Sequence, residues 1–274
     1  MSEAMGVAAL LAEAQPVVGR REARVLLRHQ LGRDEAWLIA HGEDVCAAAD
    51  VRAYRAMVAR RAGGEPVAYI TGEREFFGRA FVVSPAVLIP RPETELLVEL
   101  ALQRTPRGAR VLDLGTGSGC IGITLAAERP DLRVTLVDAS PEALLVARQN
   151  AQRWAPATTE LLASDWFAGL AGRCFDLIAS NPPYIAGGDI HLAQGDLRFE
   201  PSAALVAGEG GLADIRRIVA GASLHLEPGG WLLFEHGHDQ QAACTSLLRQ
   251  AGYREVFSAP DLAGILRVSG GRRP

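Results

Sequence analysis

Lysine is absent from this 274-residue chain, and all 28 of its basic residues are arginine. That absence excludes a lysine Schiff base and a Walker-type phosphate lysine. Arginine-biased codon usage accounts for it more simply than a tuned preference for bidentate contacts does. Cysteine is sparse: Cys46, Cys120, Cys174 and Cys244 are scattered with no CxxC pair. Neither a disulfide framework nor a zinc site is indicated, so no metal is expected and a reducing compartment fits. No apolar run approaches the length of a membrane span, and residues 1–14 lack the charged start and apolar core of a signal peptide. The expected location is the cytoplasm. Positive excess is missing too. A net charge of -4 argues against a protein that coats nucleic acid, while leaving room for a local basic strip.

What is present is a globular composition, 49% hydrophobic and 22% charged, at a length that suits one or two domains. Apolar positions in residues 1–64 recur at helical spacing, as in Ala23-Val25-Leu26-Leu27 and Val51-Tyr54-Met57-Val58. Breaks at Pro16, Gly19, Gly32, Gly42 and Gly63-Gly64 predict about four helices. From Val67 to Leu88 short β-favouring stretches (Ala68-Tyr69-Ile70, Phe76-Phe77, Phe81-Val82-Val83) predict a hairpin. A helix should open at Glu93-Thr94-Glu95. After Gly108 strands and helices alternate, with strands at 111–114, 133–138, 160–163, 175–179 and 231–235 and a closing antiparallel pair at 254–257 and 264–268. The expected fold class is α/β: a Rossmann-like, mostly parallel doubly wound sheet preceded by a small helical bundle. Expected domains are a helical 1–65, a hairpin linker 66–90 and an α/β domain 91–274.

Two stretches carry chemistry. Asp113-Leu114-Gly115-Thr116-Gly117-Ser118-Gly119 joins a strand to a helix, where glycines let a ligand approach backbone and the helix N-terminus offers free N–H groups. Gly117, Gly119 and Gly122 also fit a dinucleotide pattern, with Asp138 ending the next strand to hold a ribose diol. A tight ligand-free turn has the same spacing. Asp113, however, would oppose a pyrophosphate and suits a ligand with a sulfonium and an ammonium. Asp165 offers an acceptor for an adenine amine and Trp166 a flat surface for its ring. These residues favour S-adenosylmethionine over a nicotinamide cofactor.

The second stretch, Asn181-Pro182-Pro183-Tyr184, follows the fourth strand, where doubly wound sheets place their ligands. Two prolines remove N–H groups and fix φ, so the Asn181 side-chain carbonyl and the Pro182 backbone carbonyl can accept from one planar NH2 group. Tyr184 can cover its flat face. Such a nitrogen is a poor nucleophile, and two fixed acceptors polarise its N–H bonds and stabilise the charge that develops on it. His191 is expected to be an exposed loop histidine, not a base.

The segments Pro66-Val67-Ala68-Tyr69-Ile70-Thr71-Gly72, Phe76-Phe77-Gly78, Leu88-Ile89-Pro90-Arg91-Pro92-Glu93-Thr94-Glu95 and Asn181-Pro182-Pro183-Tyr184-Ile185 resemble the peptide chain release factor glutamine methyltransferases. So do Phe199-Glu200-Pro201, Ala204-Leu205, Gly210-Gly211-Leu212 and Asp261-Leu262-Ala263-Gly264-Ile265-Leu266-Arg267. The similarity spans residues 20–268 in order. The NPPY tetrapeptide alone is shared with adenine-N6 and other amino methyltransferases, whereas the segment ahead of the glycine loop is more discriminating. The resemblance implies N5-methylation of the glutamine in the Gly-Gly-Gln motif of class I release factors, and a helical N-terminal domain that docks them. It implies that Gly115 to Gly119, Asp138 and Trp166 bind S-adenosylmethionine, that Asn181 touches cofactor and glutamine, and that Pro182, Pro183 and Tyr184 complete the glutamine pocket. Arg91 and Glu93 would close over the site. The chain departs from the family at His236 and His238 after Glu235, which are expected to be a surface pair at a strand end. Nucleic-acid amino methylation, a non-catalytic ribosome-associated binding protein and a dehydrogenase are the alternatives. No direct nucleic-acid or membrane contact is expected.

Overall fold

The computed structural model describes residues 5–274, and the chain divides into two units: Met1–Glu73 with Ala193–Phe199, and Arg74–Leu192 with Glu200–Pro274. In the first unit the expected four helices form: α1 (Val7–Val18), α2 (Arg20–Leu31), α3 (Glu35–Ala40) and α4 (Ala48–Ala62). Asp34 caps α3 by accepting from Trp37 N at 2.8 Å. Gly32 ends α2 in the left-handed region at φ 60°. Pro16 does not break the chain as expected but sits in the last turn of α1, where Gly19 N still reaches Gln15 O at 2.9 Å. Val7, Leu10, Leu26, Leu27, Leu38, Val51 and Tyr54 form this unit's core, and the buried Tyr54 hydroxyl donates to Ala23 O at 3.1 Å.

The Ala68-Tyr69-Ile70 stretch is not a strand. It lies in a helical turn, α5 (Val67–Thr71), because the Pro66 carbonyl accepts from both Tyr69 N and Ile70 N and Gly72 closes the turn at φ 76°. The hairpin follows as β1 (Glu73–Phe76) and β2 (Arg79–Val82). Its two-residue loop, Phe77-Gly78, has positive φ at both positions (51° and 72°), the twist that suits adjoining strands. Phe76 and Phe81 are buried in the second unit's core.

A 3-10 turn, Pro92–Thr94, leads into α6 (Glu95–Arg104). The alternation then runs β3 (Arg110–Leu114), α7 (Cys120–Glu128), β4 (Arg133–Asp138), α8 (Pro141–Trp154), β5 (Thr159–Ala163) and β6 (Phe175–Ser180). It continues through α9 (Ala213–His225), β7 (Leu226–Glu235), α10 (Gln241–Gln250), β8 (Arg254–Pro260) and β9 (Leu266–Arg272). The sheet order is β8-β9-β7-β6-β3-β4-β5, parallel from β7 to β5, with β9 antiparallel to both β7 and β8. Strand β7 begins five residues before the expected Trp231, its register with β6 shifting between Leu226 and Trp231.

Alternation along the strands separates two apolar layers. Val111, Leu177 and Leu233 join a cluster with Leu97 and Ile123, while Leu112, Ile178, Leu232 and Phe234 join one with Ile218 and Leu248. The chain reverses its direction of travel across the sheet between β3 and β6, which pair directly (Leu114 opposite Ser180). Ser180 Oγ donates to Leu114 O at 2.8 Å and locks the two strand ends where doubly wound sheets hold their ligands.

Candidate functional site

One cavity of about 360 Å³ lies beyond the C-terminal ends of β3, β4, β5 and β6. It gathers Gly115, Thr116, Gly117 and Ser118 from the glycine loop, Asp138 from β4, Asp165 and Trp166 from the loop after β5, and Asn181 and Pro183 from the loop after β6. Of the residues singled out in the sequence, Asp113, Gly119, Pro182 and Tyr184 do not line it.

The loop owes its shape to its glycines and to two carboxylates. Gly117 has φ 55°, and its N–H donates to Asp138 Oδ2 at 2.8 Å. A Cβ on Gly122 would stand 2.3 Å from Leu136 Cδ2 and 2.9 Å from Asp113 Cβ, so only glycine lets α7 approach the sheet here. Asp138 also accepts from Ser140 N at 2.9 Å, which fixes the carboxylate at the cavity wall. Asp113 is fully buried behind the loop, with Oδ2 accepting from Thr116 Oγ1 at 2.6 Å and Gly122 N at 2.9 Å. Its Oδ1 is buried and has no partner. Burial outweighs these hydrogen bonds and pushes its pKa up to about 6. Asp113 thus acts on the cavity through the loop it braces.

Asp165 accepts from Arg217 at 2.9 Å and is solvent-exposed at the rim. Trp166, held at φ 49°, sets its ring edge against Gly115, where a Cβ would meet Cζ3 at 3.5 Å. The ring and the loop backbone thus form one wall.

Asn181 is the most informative side chain. Its Nδ2 donates to Thr94 Oγ1 at 3.2 Å, while Oδ1 is buried with no partner at the cavity wall. A buried acceptor left unpaired carries a desolvation penalty of about 1–3 kcal/mol, which a ligand donor would remove. Tyr184 turns away from this cavity: its ring packs with the Leu112 cluster and its hydroxyl donates to Glu235 Oε1 at 3.1 Å. Burial and the neighbouring Glu235 charge raise the Tyr184 pKa far above the usual phenol range. The Tyr184 backbone is clamped as well. Gln240 Nε2 donates to Tyr184 O at 3.0 Å, and a Cβ on Gly211 would stand 2.2 Å from that same oxygen.

The pairings made by Thr94, Glu200 and Glu235 escaped sequence reasoning. Thr94 lines the cavity and donates to the fully buried Glu235 at 2.6 Å. Arg91, also at the wall, pairs with Glu200, whose other oxygen accepts from Ile89 N at 3.1 Å. Glu93 is exposed and does not line the cavity. His191 is exposed and bonded to Asp189 at 2.7 Å. The expected surface pair of histidines needs correction. His238 is exposed, but His236 is fully buried, its Nδ1 donating to Gly237 O at 2.8 Å and its Nε2 accepting from Ser269 Oγ at 2.9 Å. Pairing of β7 with β9 covers the strand end that was read as surface. Among the described residues, no group of three or more His, Cys, Asp or Glu is placed to hold a metal ion, and no helix is long and apolar enough to cross a membrane.

Two family models match the chain: the methyltransferase small domain over residues 92–217 and the PrmC N-terminal domain over residues 6–72. The release factor glutamine methyltransferase of Bordetella pertussis is 54% identical over 261 residues, covering 94% of this chain and 96% of the relative. That of Escherichia coli K12 is 47% identical over 254 residues, 92% of each. Among solved structures, a methyltransferase from Pyrococcus furiosus superposes with a TM-score of 0.56 at 21% identity over 78% of this chain and 96% of that one, a likeness of fold.

Proposed function

Because the chain belongs to the release factor glutamine methyltransferase family, we propose that it transfers a methyl group from S-adenosylmethionine to the side-chain nitrogen of the glutamine in the Gly-Gly-Gln motif of class I release factors. The observation that carries this reading is Asn181 Oδ1, a buried acceptor without a partner at the wall of the cavity that the glycine loop also lines.

The residues present fit the cofactor. Asp138, fixed by two backbone donors, keeps lone pairs for a ribose diol. Trp166 offers its ring to a purine and Asp165 an acceptor to its amine. Gly115, Thr116, Gly117 and Ser118 present backbone at the cavity, and Asp113 behind them holds the loop in shape. When bound, the cofactor supplies an electrophilic methyl group on a sulfonium.

The chain's own contribution is placement and polarisation. Asn181 Oδ1 accepts one N–H bond of the glutamine amide, and the adjoining Pro182 carbonyl, although Pro182 stands outside the cavity lining, is assigned the second. This would orient the nitrogen and stabilise the positive charge it acquires as the N–C bond replaces the methyl group's bond to sulfur, S-adenosylhomocysteine being the leaving group and one amide proton passing to water. Neither acceptor is a base, so the role is electrostatic. Pro183 at the cavity wall holds the backbone extended. Tyr184 serves from behind, its buried hydroxyl tying the tetrapeptide to Glu235. The helical unit, with its separate core, is assigned to docking the release factor.

The test offers the purified chain labelled S-adenosylmethionine together with a release factor, its Gln-to-Ala variant, and bulk RNA. Label on the intact factor alone is the expected result. Label on RNA only, or equally on the Gln-to-Ala factor, would overturn the reading.

A further inference from the structure

Glu235 is a buried acid that takes no part in the reaction, and its two carboxyl oxygens join the side chains of Thr94 and Tyr184. Its Oε2 accepts from Thr94 Oγ1 at 2.6 Å, and its Oε1 accepts from the Tyr184 hydroxyl at 3.1 Å. Thr94 Oγ1 in turn accepts from Asn181 Nδ2 at 3.2 Å. All three hydrogen bonds point one way, toward the carboxyl group.

That direction has a consequence for Asn181. A threonine hydroxyl has a single hydrogen. Once that hydrogen is committed to Glu235 Oε2, only lone pairs remain on Oγ1, and only an N–H donor can face them. The primary amide of Asn181, a residue of the cavity wall, must then place Nδ2 at Thr94 and leave Oδ1 without a protein partner. The opposite amide rotamer would set Oδ1 against a hydroxyl with no hydrogen to give, and would present two N–H donors to a substrate that itself brings N–H donors. Oε2 serves Thr94 as the acceptor whether the acid is ionised or carries its proton on Oε1; in the second state the Tyr184 bond reverses, Oε1–H donating to the phenol oxygen, while the Thr94 and Asn181 bonds keep their direction.

We propose that Glu235, acting through Thr94, is the positioning residue that sets the orientation of the Asn181 amide and so presents Oδ1 to the methyl-accepting nitrogen. The inference rests on the reading of Asn181 as the group that holds that nitrogen. Glu235 touches neither substrate nor cofactor. It acts by leaving Asn181 one permitted rotamer, and Tyr184 ties the same carboxyl to the backbone that carries Asn181.

The test uses Glu235→Leu, which removes the acceptor at similar volume, and Thr94→Val, which removes the hydroxyl at constant shape. Each is compared with Thr94→Ser, which restores it. Both disruptive variants should lower kcat on a release factor by about tenfold or more, the size of a lost transition-state acceptor. Affinity for S-adenosylhomocysteine should stay within about threefold, and the double variant should fall no further than the worse single one. Thr94→Ser should recover most of what Thr94→Val loses. A second readout needs no turnover: the Asn181 side-chain amide, followed by ¹⁵N–¹H spectroscopy, should exchange its protons slowly in the parent and in Thr94→Ser, and faster in Glu235→Leu and Thr94→Val. Should Glu235→Leu misfold, Thr94→Val alone carries the test. Parent turnover combined with unimpaired disruptive variants, strict additivity, or an Asn181 amide indifferent to both substitutions would overturn the proposal. A parent that leaves the release factor unmethylated while the amide responds as expected would instead overturn the assigned reaction and leave the positioning role standing.

Discussion

Asn181 and Asp113 hold two kinds of unpaired oxygen, and they predict different experiments. The free Oδ1 of Asn181 belongs to a residue of the cavity wall, so Asn181→Ala removes the acceptor proposed for the substrate and leaves the glycine loop intact. Turnover should drop by about 10²–10³-fold, as for one electrostatic donor or acceptor in comparable sites. Cofactor affinity should weaken only modestly; calorimetry beside single-turnover kinetics separates the two, and undiminished turnover would contradict the role. The free oxygen of Asp113 lies in the interior, where burial lifts the acid from 3.8 to about 6. A raised carboxyl group favours the folded state while protonated. Its contribution is therefore complete below pH 3.8 and is lost as the pH rises through about 6. Melting curves between pH 4 and 7 should show the parent losing stability relative to Asp113→Asn over that window. Parallel curves would mean that the acid is not perturbed.

At the scale of elements, Asn150 and Gly211 hold pieces of structure in register. Asn150 on α8 accepts from Val82 N at 2.7 Å and donates to Val82 O at 3.0 Å and Ser118 O at 2.8 Å, binding the hairpin to the glycine loop through one buried amide. Asn150→Ala would strand three backbone groups and should destabilise the second unit by about 2–4 kcal/mol in denaturant unfolding. Gly211→Ala acts differently, because its Cβ cannot occupy the space 2.2 Å from Tyr184 O without moving the acceptor loop. Misplacement by about 1 Å is enough for a 10²-fold loss of turnover. A Gly211→Ala enzyme of normal kcat would show that the loop yields elsewhere. Much at this scale was readable beforehand. The five parallel strands announce themselves as short apolar runs, and the glycine loop and Asn181 tetrapeptide lie at strand ends where local spacing reveals them. Ala68-Tyr69-Ile70 misled because two β-favouring residues, Tyr69 and Ile70, weigh less than the Pro66 carbonyl that accepts from both. The pairs Thr94–Glu235 and Arg91–Glu200 had no local signal at all. Their members are separated by 141 and 109 residues and meet only once the sheet has formed.

For the whole molecule, each unit has its own core, and the cavity is lined by residues of the second unit only. Leu27→Ala, in the fully buried core of the helical unit, should destabilise that unit by about 2–5 kcal/mol. With the cavity untouched, cofactor affinity should be retained while kcat/KM for the release factor falls. Equal loss of both would argue against a docking role for the helices.

The cavity wall also contains an optical probe. Of the four tryptophans, all among the described residues, Trp166 alone lines the cavity; Trp37, Trp154 and Trp231 lie elsewhere. Replacing those three with phenylalanine would leave a chain whose emission comes from one indole beside the glycine loop. A purine settling against that ring would change its brightness, so occupancy could be followed in a cuvette without label, substrate or turnover.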